Sequence, residues 1–554
     1  MNIFSMIFMA VIWAVVSSSI FLLLRNNEGF AKKNKALFLI ALLLLGFFLP
    51  VYAKIAVANE FYFNSSDEGV LWRNYTEFLE GKDISELPHA SGIGVILLFY
   101  VAQILTGFSF KELLLFIGIM ASVFIPVMVF LLFRQLTKSF RLSFGTAFIS
   151  LLSSYFIWPV VEVRPQLFGF LILLFIFFQL SRFFQEKRAG ALIVSCLAVV
   201  SLPFIHFLPF IYILPVLVVL ITYFYVKSKK VVFSSFYLLV AWFVGLVLHN
   251  SFSLVILDLQ WVLRTTLIKG APHFFTEVIP FPFGFKVFAP LLFFGIAAIF
   301  LGFFVAVFLR EKKKTVNRFY GTVREWFEAN QRVALLGFLF GTLGLIVIQV
   351  FFNIDLILSL YGSLLLFLLL QSINLLVGVV ASYAVFKLLF SKKMETKIVF
   401  LLMIPFAFWF VLTLAISPFI SFGFSNFAMR TMNYLVIFLG FFCFSAFTWF
   451  QGVPFLKRVP LLVLMFFPGS LLVGTHDPSV LDDGVTYLSN QEQNEFFVMD
   501  DWFESQGVQG VFTRSFPVER TVINEDKETR NLDKVWVSKK RFLVYPSETI
   551  GEIE

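Results

Sequence analysis

Long, nearly unbroken apolar runs separated by short basic clusters set the pattern of this chain. A helix of about 20 apolar residues crosses a hydrocarbon core about 30 Å thick. Continuous runs predict helices, because barrel strands would alternate in short segments. The first run is Ile3 to Leu24, followed by 36–56. Further spans fall near 111–133, 142–158, 166–184, 190–206, 209–226, 231–249, 286–309, 333–353, 364–390, 398–418, 428–450 and 459–474. The stretch Gly92 to Gly107 breaks the pattern: 16 residues with three glycines and Gln103 are short for a span, so we read it as non-spanning.

Charge then orients the path. Lys/Arg clusters at Arg25 to Lys35, Arg134 to Arg141, Arg182 to Arg188, Lys227 to Lys230, Arg310 to Arg332, Lys387 to Lys397 and Lys457 with Arg458 mark cytoplasmic turns. One path of about fourteen spans satisfies them all, with both termini extracytoplasmic. No Lys or Arg precedes Ile3, so the first run reads as a retained span rather than a signal peptide. The loop within 52–110 is external on this path and carries Asp67, Glu68, Glu77, Glu80, Asp83 and Glu86.

After Gly474 the pattern changes. Charges become frequent, Gln491 to Gln506 has helical spacing, and Gly510 to Thr513, Val518 to Ile523, Lys534 to Val537 and Arg541 to Tyr545 read as short strands. The expected organisation is an extra N-terminal span and turn (1–35), a transmembrane domain (36–474) and a small extracytoplasmic α/β domain (475–554). The fold class is thus an all-α polytopic membrane protein with a small C-terminal α/β domain.

Composition agrees: 59% of the 554 residues are hydrophobic, 80 are Phe and only 14% are charged, against about 25% charged in a soluble domain. The net charge of +9 follows from the orienting clusters and implies no nucleic-acid partner. Cys196 and Cys443 lie inside apolar runs and read as buried thiols. No phosphate-binding loop, H-E-x-x-H or C-x-x-C motif occurs, and no span carries a charge near its centre, which argues against a secondary transporter.

The candidate chemistry is external. In SSDEGVLWRNY, Asp67 and Glu68 suit a general base toward an acceptor hydroxyl, or oxygen ligands for a divalent ion. Ser65 and Glu68 also have capping-box spacing, and Leu71, Trp72, Tyr75, Phe78 and Leu79 form an apolar face behind them. In WPVVEVRPQLFG, Glu162 and Arg164 are either a local charge pair or a second acid with an anion-gripping arginine. Arg264, Lys269 and His273 follow a predicted interfacial helix, where they suit phosphate contact or snorkelling. His206 sits where two spans meet. Arg430 is the lone external basic residue between its spans, against the positive-inside bias.

The layout resembles the GT-C glycosyltransferases, membrane enzymes that take a sugar from a polyprenyl-phosphate carrier. SDEGVLWRNY followed by PHASGIGVILLFYVAQILTGFS, the turn RQLTKSFR and then VEVRPQLFG is similar to that family's N-terminal half. FIHFLPFIYILPVLVVL, the Arg430 segment and the tail YLSNQEQNEFFVMDDWFESQGVQGVFTRS extend the likeness over about 36–515. The resemblance implies a membrane glycosyltransferase moving one sugar, with inversion, from a lipid-linked donor to a glycan, lipid or protein acceptor. It maps the loop-one acid to Asp67 with Glu68 beside it, the second external acid to Glu162, and the carrier-phosphate arginine to Arg430. Asp500-Asp501-Trp502 replaces the W-W-D triplet of the oligosaccharyltransferase branch, and D-E replaces D-x-D in loop one, which weakens the case for bound Mg or Mn. The expected setting is a prokaryotic cell membrane with the active face outside. The rival readings are a flippase or transporter of lipid-linked sugars and a non-catalytic scaffold.

Overall fold

A computed structural model of the chain describes residues 3–58, 66–81, 92–161, 163–227, 229–251, 278–280, 286–288, 364–389, 394–420, 422–454, 456–475, 536–537, 542–543 and isolated positions between 322 and 340. The described body is helical: α1 (Ile3–Arg25), α2 (Glu28–Lys33), α3 (Lys35–Ala58), α4 (Ser66–Leu79), α5 (Ile93–Thr106), α6 (Phe110–Thr137), α7 (Phe140–Ser150), α8 (Ser154–Val161), α9 (Pro165–Glu186), α10 (Ala189–Ile205), α11 (Phe207–Lys227) and α12 (Lys229–Ser251). Then come α13 (Leu364–Leu389), α14 (Met394–Ile420), α15 (Phe422–Phe450), α16 (Val459–Met465) and α17 (Phe467–Thr475). Among the described residues five helices are long and apolar enough to cross a membrane, or six if the bent pair α7–α8 counts as one. This is an integral membrane protein with a helical transmembrane body.

Helices dominate because hydrocarbon offers no partner for a free N–H or C=O, and the α-helix satisfies both within one segment. Buried hydroxyls follow the same rule by bonding back one turn. Ser150 Oγ donates to the Thr146 carbonyl at 2.9 Å and Thr146 Oγ1 to that of Leu142 at 2.7 Å. These small side chains let α7 lie close against α15. Outward faces such as Phe4, Ile7 and Phe21 on α1, or Leu37 and Ile40 on α3, are exposed and apolar, as lipid contact requires.

Three expected spans are corrected. The segment 142–158 is two helices bent by 79° around Leu151–Ser153. The segment 459–474 is interrupted at Phe466, whose N–H turns back to Leu464 and Val463 carbonyls. The expected span 286–309 does not begin as helix: β2 (Lys286–Phe288) pairs antiparallel with β1 (Val278–Pro280), Val278 opposite Phe288. In each case span length and apolarity were in the sequence, but the local backbone partner was not.

In the tail, β3 (Trp536–Val537) pairs antiparallel with β4 (Phe542–Leu543), within two of the strand-like pieces read there. The remaining pieces, the helix at 491–506 and the span 333–353 apart from isolated positions lie outside the described residues.

α5 has 14 residues, about 21 Å of helix at 1.5 Å per residue. That is well short of the core thickness, in keeping with a non-spanning element.

The basic clusters at 25–35, 134–141 and 182–188 meet at one end of the bundle. Glu28 accepts hydrogen bonds from the backbone N–H groups of Phe140 (2.6 Å) and Arg141 (3.1 Å), filling the anion-favouring start of α7. Arg141 answers by donating to the last carbonyls of α1, Leu23 at 2.6 Å and Leu24 at 3.1 Å. Nearby, Glu186 draws Arg188 (2.8 Å), Lys138 (3.7 Å) and Arg182 (3.9 Å) together. α1 is also tied to α16 by Trp13 Nε1 donating to the Leu464 carbonyl.

Candidate functional site: two arginines at the opposite end

α9 starts at Pro165 and ends in the basic cluster at Glu186. Its 22 residues rise about 33 Å, so its N-terminus lies a bilayer thickness from that cluster. Arg164 is its N-cap, in extended backbone conformation, and Pro165 occupies the first helical position, where a missing N–H costs nothing. The Arg164 side chain is 3% exposed and lies over the Trp158 ring of α8, 4.1 Å from its centroid. A desolvated guanidinium on an indole face gains cation–π attraction of about 2 kcal/mol.

The turn carrying Arg164 is held closely. Gly118 of α6 faces Val163 so tightly that an added Cβ would stand 2.1 Å from Val163 Cγ2. Ser122, one turn on, donates to the Val160 carbonyl and, at 2.9 Å, to that of Gly118.

Arg430 reaches the same place from α15. Both Arg164 and Arg430 act electrostatically on the phenol of Tyr434, a residue 1% exposed. Arg430 acts also on Tyr212 of α11, whose hydroxyl shares a 2.8 Å hydrogen bond with Thr431. Rings pack around Tyr434: it lies 5.2 Å from Tyr212, 5.3 Å from Phe170 and 5.8 Å from Phe406. The Tyr434 hydroxyl is buried and makes no hydrogen bond among the described residues. The result is two cations and a free hydroxyl in an aromatic, water-poor setting, which suits an anion with several acceptor oxygens. Comparison with known proteins finds no family model and no curated sequence that matches the chain.

The start of α5 abuts this turn. Gly92, N-cap of α5 with φ 107°, adopts a backbone that favours glycine, and an added Cβ would meet Pro165 Cγ at 2.6 Å. α4 packs on α5 through Tyr75, whose hydroxyl donates to Gln103 Oε1, and through Phe78 against Tyr100 at 5.5 Å. Burial raises the Tyr75 hydroxyl above its ordinary pKa, which keeps it a donor.

The candidates fare unequally. Asp67 and Glu68 lie in the first turn of α4, while their side chains are outside the described residues. The α4–α5 contacts run antiparallel, Tyr75 to Gln103 and Phe78 to Tyr100, so that first turn points toward the C-terminal end of α5. Glu162, Arg264, Lys269 and His273 are outside the described residues, as is Ser65 of the expected capping box. His206 caps α10, and its Nδ1 accepts from the Leu208 N–H at 3.3 Å, a bond that shapes the α10–α11 turn. Among the described residues no three His, Cys, Asp or Glu side chains converge as metal ligands.

One expectation about α4 needs correction. Leu79 is 47% exposed rather than part of the packed face, while Asn74 (4%) and Glu77 (7%) are buried. The apolar pattern hid these polar positions, since Asn74 and Glu77 flank the buried Tyr75. Sequence reasoning also missed Trp158, Tyr212 and Tyr434 as site residues, because an aromatic in a Phe-rich span carries no mark of its neighbours.

Proposed function

We propose that this protein is a membrane glycosyltransferase of GT-C-like layout, with about fourteen spans and a small α/β domain at 475–554. It moves a single sugar from a polyprenyl-phosphate carrier to an acceptor on the non-cytoplasmic face. The observation that carries the reading is the convergence of Arg164 and Arg430 on Tyr434 at the end of the bundle away from the basic clusters. A carrier phosphate leaving as the sugar is transferred needs fixed positive charge at its oxygens, and the buried Arg164 with the half-buried Arg430 supplies it without reorganisation.

In this mechanism Arg430 and Arg164 hold the phosphate and the Tyr434 hydroxyl donates to it. Asp67, the base that the resemblance implies, takes the proton from the acceptor hydroxyl as that oxygen attacks the anomeric carbon and the carbon–oxygen bond to the phosphate breaks. This step requires the first turn of α4 to move from the far end of α5 toward the Arg164 turn. Glu68 and Glu162 orient the acceptor. Attack opposite the leaving phosphate inverts the anomeric centre. No step is routed through a metal.

The test uses the full chain in lipid nanodiscs with radiolabelled polyprenyl-phosphate sugars. Transfer to water or an added acceptor is expected for the wild type, with a loss of about 10²–10⁴-fold in Asp67→Asn. Full transfer in Asp67→Asn moves the base to Glu68 or Glu162. No turnover of any carrier sugar by folded protein overturns the transferase in favour of a transporter or scaffold.

A further inference from the structure

The break between α7 and α8 has no proline or glycine. Its residues, Leu151 to Ser154, are all at most 3% exposed. Irregular backbone at membrane depth persists only where protein groups satisfy it, and a sharp bend needs an identifiable cause. The cause here comes from α13. The Asn374 amide accepts from Ser153 Oγ and donates to Ser154 Oγ, both at 2.8 Å, one bond on each side of the point where α8 begins. Ser153 also starts α8 through its carbonyl, which accepts from the N–H of Phe156 at 3.0 Å and of Ile157 at 3.1 Å.

The position of this clamp links it to the anion site. Ser154 and Trp158 are four residues apart in one helix, so they stand one above the other on the same face. Trp158 is the ring on which Arg164 rests. Holding Ser154 therefore sets the height and rotation of the surface beneath the guanidinium.

We propose that Asn374 is a positioning residue: it fixes the bend between α7 and α8 and thereby places Trp158 and Arg164 for binding a lipid phosphate. The functional half of this statement rests on the anion-site reading above, whereas the positional half stands alone. Asn374 touches no ligand in this scheme and acts through Arg164.

Two readouts on full-length protein in nanodiscs separate the halves. One is backbone hydrogen exchange over 154–164. The other is the Kd for a polyprenyl monophosphate. Asn374→Leu keeps the branched shape and the number of side-chain heavy atoms and removes both hydrogen bonds. It is expected to speed exchange over 154–164 and weaken binding about ten-fold. In an Arg164→Ala background it should weaken binding no further, because two changes acting through one group do not add. Since Asn374→Leu leaves two buried hydroxyls without partners, Asn374→Leu with Ser153→Ala and Ser154→Ala serves as a folded control that still lacks the clamp. Unchanged exchange in both variants overturns the clamp. Faster exchange with unchanged Kd overturns the positioning role. Failure of the wild type to bind the lipid phosphate overturns the anion-site reading, and the exchange result then decides the clamp alone.

Discussion

The two ends of the helical body hold their charges by different means. At the end where the basic clusters meet, the cations are paired with oxygens or a ring. Glu186 gathers Arg182, Arg188 and Lys138, Arg141 caps the α1 carbonyls, and Lys387 stands over Trp449 at 4.4 Å. At the opposite end, Arg164 is sunk to 3% exposure on an indole, and it shares Tyr434 with Arg430. Surface pairs are screened and contribute little, whereas desolvated cations interact strongly with whatever anion reaches them. The first end ties helices together, whereas the second holds a cation out of water.

This contrast can be broken by substitution. The largest effect is expected from Arg430→Ala, which should weaken polyprenyl-phosphate binding by roughly a hundred-fold or more, since truncating a desolvated charged partner costs about 2–5 kcal/mol. Thermal unfolding should show the protein still folded, and retention of wild-type Kd would place the anion elsewhere. At the other end, Arg141→Ala should lower stability by about 1–3 kcal/mol, because it leaves the Leu23 and Leu24 carbonyls without their donor. Ligand affinity should be unaltered, so a matching loss of affinity would erase the division between ends.

Tyr434→Phe sharpens the comparison further. Removing a buried hydroxyl that has no hydrogen bond should leave Tm equal or higher, while weakening phosphate binding by about ten-fold. A fall in Tm with unchanged binding would make Tyr434 a packing residue. The smallest effect belongs to Glu186→Gln. Its network is solvent-exposed, so Tm in nanodiscs at physiological salt should not shift measurably.

The apolar helices among the described residues, the basic clusters that meet at one end and the short α5 were legible because they depend on length, apolarity and charge, which are properties of a segment. The break at Leu151–Ser153 was not, because LLSSYF differs little from neighbouring helix. Asn374, on a helix more than 200 residues later, gives two of its serine hydroxyls their partners. Glu28 likewise looked like one acid within a basic turn until the start of α7 came to it.

The candidate site divides the same way. Arg430 stood out in the sequence as a lone basic residue against the positive-inside bias, and Arg164 as half of a charge pair with Glu162. Their common target did not. Tyr434 and Tyr212 are two aromatics among 80 Phe, 15 Tyr and 10 Trp. What the sequence by itself determined is that this chain lives in a membrane, where its turns lie and which charges are out of place, because transfer free energy is read residue by residue. What only the tertiary structure decided is which of those charges share a pocket, because burial and electrostatics depend on distances between helices that no segment contains.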